Sequence, residues 1–431
     1  MKNKIVQSIL ILLCLQGFLM AASIKHEKIN DIKVPVVFEK DTNLPILNLQ
    51  LIFKNSGYIQ DNGKSGVASI SAKLLNEGTK KLGSTKFAQK LENSAISLHT
   101  STGFETFVIE LSSIKDVHEK GLKLLKELLE DPNYDEKTLN KIKTIQIGSL
   151  KRKENDFDYI ASKNLKKLIF KDTALEKPSS GSIESISKLK IIDIKKFLGS
   201  ALDLNNLIIV AGGDFEYDEL IPKIKKLIKI LDAKNKNELK NVIVSDESKI
   251  DTLLKETQQA YVYFGSPFNV KVNDKDSYMA KVASFILGGS GFGSRLMEEI
   301  RVKRGLAYSA YGYISQNKSH SFFTGYLQTK LETADEAKEL VISIIDDFVK
   351  KGVSKEELQA AKNFLLGSEP LRTETLSQRL NRAFTLYYRG LEQSHSKKEL
   401  EKIENIKLED LNNYIKSHKE IKKLSFSIVR K

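Results

Sequence analysis

Six histidines, at positions 26, 99, 118, 320, 395 and 418, are the imidazoles of the chain, and no two lie within five residues of each other. Helical zinc hydrolase sites need two imidazoles close enough to meet one ion, as in H-x-x-E-H, and no such pair exists. His99, beside Thr100 and Ser101, has the setting of an ordinary strand residue. Cys14, the single cysteine, falls in the N-terminal apolar run, so the remaining chain has no disulfide and no thiolate metal site. Gly288 to Gly293 and Gly212-Gly213-Asp214 are rich enough in glycine to suggest a phosphate loop. Such a loop needs a preceding strand and, in its Walker form, a Lys-Ser/Thr pair. Gly288 to Gly293 instead follows a helical pattern and leads into Ser294-Arg295, which reads as a flexible helix-to-helix connection.

Arg301 and Tyr308, seven residues apart, are the positive candidates for chemistry. A guanidinium fork and a phenol are both hydrogen-bond donors that can stabilise negative charge on an oxygen. On spacing alone, a basic helix end followed by a strand tyrosine with no function is the better reading.

These residues must be positioned by an α+β chain. Lys33 to Glu39 and Ile46 to Lys54 alternate like half-buried strands, helices are expected over 66–76 and 84–93, and 96–102 with 106–112 forms an antiparallel pair around Gly103. Three helices follow, near 117–129, 135–153 and 159–170, then the apolar strand 205–211 and a helix over 221–231 with Pro222 in its first turn. The stretch 233–256 is mostly Lys, Asn, Asp and Glu and reads as a linker. Beyond it the order begins again, with strands 260–264, 307–315 and 322–329 and helices 274–287, 295–304, 334–350, 355–367 and 376–388. Adding 219 to each number lays Tyr134–Ser149 on Val353–Ser368 without gaps, pairing Leu139 with Leu358, Lys143 with Lys362 and Gly148 with Gly367. The reading is an internal duplication: two homologous halves, 23–232 and 257–431.

Composition sets the outer limits. With 431 residues, 41% of them hydrophobic, the chain can bury two ordinary cores. Lys2 and Lys4, the apolar run Ile5 to Met20, and then Ala21, Ala22 and Ser23 have the order of a secretory signal peptide over residues 1–22. Export to the periplasm or beyond is therefore expected, with no stable membrane span after cleavage. The formal charge of +14 falls to +12 without Lys2 and Lys4. Nine arginines against 60 lysines, the latter spread along helices, describe solvated faces, not a nucleic-acid stripe.

Gly66-Val67-Ala68-Ser69-Ile70-Ser71-Ala72-Lys73-Leu74-Leu75-Asn76-Glu77-Gly78-Thr79 resembles the zinc helix of the pitrilysin/insulinase family, G-x-A-H-x-x-E-H-x-x-x-x-G-T. The frame Gly66, Ala68, Gly78 and Thr79 is present, whereas Ser69 and Lys73 stand in the two His positions and Ala72 in that of the Glu. Ile145 to Leu150 is similar to the family's V-L-E-E-I-like segment, without its distal Glu ligand. Lys73 would place an ammonium where the cation sits. Gly293 to Ser309 resembles the segment in which the family's arginine and tyrosine reach toward the zinc site, with Arg301 and Tyr308 in those places.

The resemblance implies two α+β halves, each a sheet with helices on one face, hinged as a clamshell around unfolded peptide. It implies no cofactor in this chain, zinc in a homologous H-x-x-E-H partner, and a non-catalytic subunit that completes the partner's active site. A purely structural or peptide-holding scaffold of the same fold is the alternative.

Overall fold

The computed structural model describes residues 22–431; the expected signal segment, Ala22 apart, lies outside the described residues. Strands β1 (Ser23–Ile29), β2 (Ile32–Lys40), β3 (Ile46–Lys54), β4 (Ser97–Thr102), β5 (Thr106–Ile114) and β6 (Leu207–Gly213) form one sheet in the order β1-β2-β6-β3-β5-β4. Its helices are α1 (Val67–Leu75), α2 (Gly83–Glu92), α3 (His118–Glu130), α4 (Glu136–Lys153), α5 (Phe157–Ile169), α6 (Ile183–Lys188), α7 (Ile191–Ala201) and α8 (Tyr217–Ile228). The second sheet, ordered β7-β11-β8-β10-β9, contains β7 (Ile250–Leu254), β8 (Ala260–Pro267), β9 (Ala307–Gln316), β10 (Ser321–Thr329) and β11 (Ser425–Arg430). With it come α9 (Ser277–Ser284), α10 (Ala334–Lys351), α11 (Lys355–Gly367), α12 (Leu376–Tyr388), α13 (His395–Asn405) and α14 (Leu408–Ser417).

The duplication is visible in the hydrogen bonding. β2 pairs parallel with β6 and β7 pairs parallel with β11, and the remaining ladders of both sheets are antiparallel. Read from β2 and from β7, the two sheets therefore have one topology, with β1 added to the first. Helices α4 and α11 begin at residues 136 and 355, the same offset of 219 that the sequence shows.

Burial of β2 and β6 on both faces explains their near-continuous apolar sequences. Val36 and Ile209 face the helical layer of their own half, while Val37, Ile208 and Val210 face Leu376, Leu380 and Ala383 of α12. Each half thus lends a helix to the far side of the other's sheet. Leu165 and Ile169 of α5 pack beside Tyr263 and Phe322 of the second sheet, and Asp158 at the start of α5 accepts hydrogen bonds from Tyr263 Oη (3.1 Å) and Gln328 Nε2 (2.8 Å). At about 1.5 to 3 kcal/mol per buried leucine, the α12 contact alone is comparable with a large part of a domain's net stability.

Two expectations about elements are corrected. Residues 233–256 are not only a linker: β7 lies within them, and Val242 is buried with its amide bonded to Ser319 O at 2.9 Å. This strand is a sheet edge with Ile250 and Leu254 exposed, so no alternation marks it in the sequence. Pro222 sits inside α8, not in its first turn, because the helix already begins at Tyr217 with Asp218 and Glu219 in the favourable acidic first turn.

A second tie between the halves surrounds His320, enclosed by Phe104, Phe170 and Phe322 with ring centroids 5.5 to 5.6 Å away. The neighbouring Ser319 amide donates to Glu105 Oε1 at 2.8 Å. Burial holds the imidazole down at about 4, with Lys166 pushing the same way and Glu105 opposing. An unfolded histidine protonates near 6.5, so below that pH the unfolded chain binds a proton that the folded chain refuses until about pH 4. Stability should fall across this window as pH drops, by about 2 to 3 kcal/mol between pH 7 and 4.5 from this residue. Urea unfolding of His320→Phe beside the unchanged chain checks it. The difference between the two should shift toward the variant as pH falls; a pH-independent difference would refute the buried neutral imidazole.

Candidate functional site

The frame residues around α1 have structural work of their own. Gly66 takes φ +93°, and a Cβ there would meet Ile186 Cδ1 at 2.6 Å. Its amide and that of Ala68 donate to the Asp61 carboxylate at 2.7 and 3.0 Å, satisfying amides at the helix start. Burial pushes that carboxyl up to about 7 against the pull of the two amides. At the far end Gly78 takes φ +77° and Thr79 Oγ1 accepts from the Leu82 amide at 3.2 Å, closing the exit turn. A frame needed to start and stop a helix can persist without its catalytic residues.

Between those ends the chemistry is wrong for zinc. Ala72 is buried and offers no donor. Lys73 donates its ammonium to Gln146 Oε1 of α4, and Gln146 Nε2 donates onward to Ser180 O at 2.9 Å. Gln146, only 4% exposed, comes from the segment that resembles the distal-ligand region. The sequence positions matching the ligands thus do converge, but a cation and a neutral amide have replaced two anionic or imidazole donors. Burial lowers the Lys73 pKa, and nearby Lys153 lowers it further. Zinc does not fit this donor set. Among the described residues no group of three His, Cys, Asp or Glu side chains is placed to hold a metal ion. His99 is an exposed β4 residue registered opposite Glu110 of β5.

Arg301 and Tyr308 are brought together. The helical run after the glycine-rich loop widens over Met297–Val302, where the Lys303 amide reaches back to Glu298 O at 2.9 Å; such i to i+5 turns are rare and concentrate at functional sites. Arg301 lies in this turn and Tyr308 at the start of β9, the edge strand. The guanidinium carbon lies 4.8 Å from the Tyr308 ring centroid and 4.7 Å from that of Phe292. Both rings are open, Tyr308 being 82% and Phe292 69% exposed. In the sequence the only signal for Phe292 is its place as the one large residue within Gly288 to Gly293. The loop is set by close packing: a Cβ on Gly288 would meet the Gly312 amide of β9 at 2.5 Å, and Ser294 Oγ donates to Gly291 O at 2.7 Å.

Neighbouring basic side chains separate structure from availability. Arg295 forks onto Glu357 at 2.5 and 2.6 Å. Lys303 and Arg304 both hold Glu299 at 2.6 Å. Arg301 has no carboxylate within ion-pair distance among the described residues. Its charge is held by two aromatic faces, which leaves its in-plane N–H donors free for an acceptor from outside. No hydrogen bond or ion pair joins this pair to Lys73 and Gln146 among the described residues.

Residues 36–182 match the family described as Insulinase (Peptidase family M16), and residues 188–365 match Peptidase M16 inactive domain. The chain is 42% identical over 411 residues to the non-peptidase homolog YmxG of Helicobacter pylori, covering 95% of each. Its fold is similar to that of the peptidase M16 inactive domain from Pseudomonas fluorescens, with a TM-score of 0.87, 22% identity and coverage of 95% and 98%. A chain of Complex III2 from Candida albicans shares the fold at a TM-score of 0.77 and 18% identity, covering 95% and 96%. With the family's helix frame intact and its metal-binding chemistry replaced, the protein belongs to the insulinase (peptidase M16) family as a non-catalytic member.

Proposed function

We propose that this chain is the Arg/Tyr-bearing subunit of a heteromeric zinc endopeptidase, inactive alone, which binds unfolded peptide and completes the active site of a homologous H-x-x-E-H partner that holds the zinc. The observation that carries the reading is the exposed, carboxylate-free Arg301 stacked on Tyr308, beside three basic neighbours that are all paired. A scaffold has no need to keep a guanidinium and a phenol open to solvent. Membership in a multi-subunit assembly of the similar Complex III2 chain supports partnership as a use of this fold. We place the assembly in the periplasm, on the order of charge, apolar run and small residues over 1–22.

Purification alone and together with a homologous chain bearing H-x-x-E-H tests the proposal. Alone, the protein should retain no stoichiometric zinc after dialysis and cleave no unstructured peptide; mixed with the partner at micromolar concentration it should form a stable complex that does. One tightly held zinc per isolated chain, or a protein that stays monomeric beside the partner, would overturn it. A complex that forms but gains no activity from this chain would favour the scaffold.

A further inference from the structure

Of the nine arginines in the chain, Arg372, Arg382 and Arg389 line one cleft of about 510 Å³. It opens between α9, the end of β9, α12 and the start of α13. Its charged lining is Lys281, Arg372, Arg382 and Arg389 against Glu369 and Glu399. Both carboxylates are already engaged, Glu369 by Arg382 and Glu399 by Lys281 at 2.7 Å.

Two guanidiniums remain. Arg372 is exposed, with its Nη2 a long 3.4 Å from Ser368 Oγ. Arg389 is half-buried and spends one donor, Nη2, on Gln316 O at 2.9 Å. No carboxylate lies within ion-pair distance of either among the described residues, although Glu105 and Glu399 act on Arg389 from farther away. Most of the five N–H groups of this guanidinium are uncommitted within the described residues and can turn to an acceptor that enters the cleft. His395 and Ser396, the first turn of α13, also line the cleft and bring the positive end of that helix to it.

We propose that this cleft is a receptor for a peptide carboxylate, which Arg372 and Arg389 grip from two sides. In a chain with 60 lysines and nine arginines, guanidinium is the side chain suited to planar, two-pronged recognition of a carboxylate. The assignment rests on the reading of the protein as a binder of unfolded peptide, and it adds an anchor distinct from Arg301 and Tyr308. The carboxylate can come from a peptide C-terminus or from an Asp or Glu side chain.

Calorimetric titration of the purified chain with three otherwise identical unstructured peptides decides among these. One has a free C-terminus and no acidic residue, one is amidated and lacks acids, and one is amidated with a single interior Glu. Tighter binding of the first than the second assigns the C-terminus, and of the third the side chain; the expected gain is about 10- to 100-fold. Arg372→Gln, at an exposed position, should erase the gain without unfolding the chain, and Arg389→Lys should reduce it by losing the fork. Three peptides that bind equally would overturn the carboxylate receptor and leave peptide binding standing. If none binds, the peptide-binding reading fails and this inference with it.

Discussion

Replacing Arg301 by Ala, or Tyr308 by Phe, should lower kcat of the reconstituted complex by roughly 10²- to 10³-fold while leaving assembly intact, if each group donates to the developing oxyanion. On the proposed function, the magnitude follows from the loss of a preorganised donor in a site that two chains would close. The geometry makes the two variants unequal in a useful way. Tyr308→Phe keeps the ring on which the guanidinium rests and removes only the hydroxyl, so Arg301 should stay in place; Arg301→Ala removes the charge and leaves both rings. Arg301→Lys should rescue only partly, since an ammonium lacks the planar fork. Steady-state kinetics on an unstructured peptide, with complex formation checked for each variant, separates the roles: a fall in kcat marks action on the transition state, and a rise in KM alone marks grip on the substrate backbone. Unchanged kinetics in the double variant would show an arginine and tyrosine merely packed together.

A large effect on stability is expected at Arg379, far from that chemistry. This α12 side chain donates its Nε to Glu39 at 2.5 Å and its Nη2 to Asp41 at 2.5 Å, binding the second half's helix to β2. Glu39 is 4% exposed, and its Oε2 already lacks a hydrogen-bond partner. Arg379→Met would strand that carboxylate, and breaking a buried pair from one side costs about 3 to 5 kcal/mol. Burial already raises the Glu39 pKa, with Arg379 resisting the rise. Without the arginine the carboxyl should protonate at still higher pH. A raised folded pKa gives stability that is present below the unfolded value and is lost as pH rises through the folded one, so the variant should suffer more at pH 8 than at pH 5. The urea midpoint measures this, and Glu39→Gln in the same chain should recover much of the loss. A single-variant loss below about 1 kcal/mol would mean that the pair behaves as an exposed salt bridge.

What the sequence made legible follows from local physics. α4 and α11 announced themselves through a gapless offset and helical periodicity, and β6 through an apolar run that only a doubly covered strand tolerates. Arg301 and Tyr308 were readable because both lie within one short motif. β1, β7 and β11 were missed, as were α6, α7, α13 and α14. β1 and β7 are sheet edges with weak alternation, and α13 exposes most of its surface. The contact of Arg379 with Glu39, 340 residues apart, is made across the fold and left no local mark.

The exchange of α5 and α12 means that the units of sequence and the units of folding are different pieces. The stretches that match the family end at residues 182 and 365, before α12 begins at 376. A fragment trimmed to its own sheet and helical layer would leave Val37, Ile208 and Val210 facing water, a bare apolar patch on a sheet that the intact chain never shows. Each half in effect serves as a chaperone for the other, holding in place the surface that its sibling cannot cover.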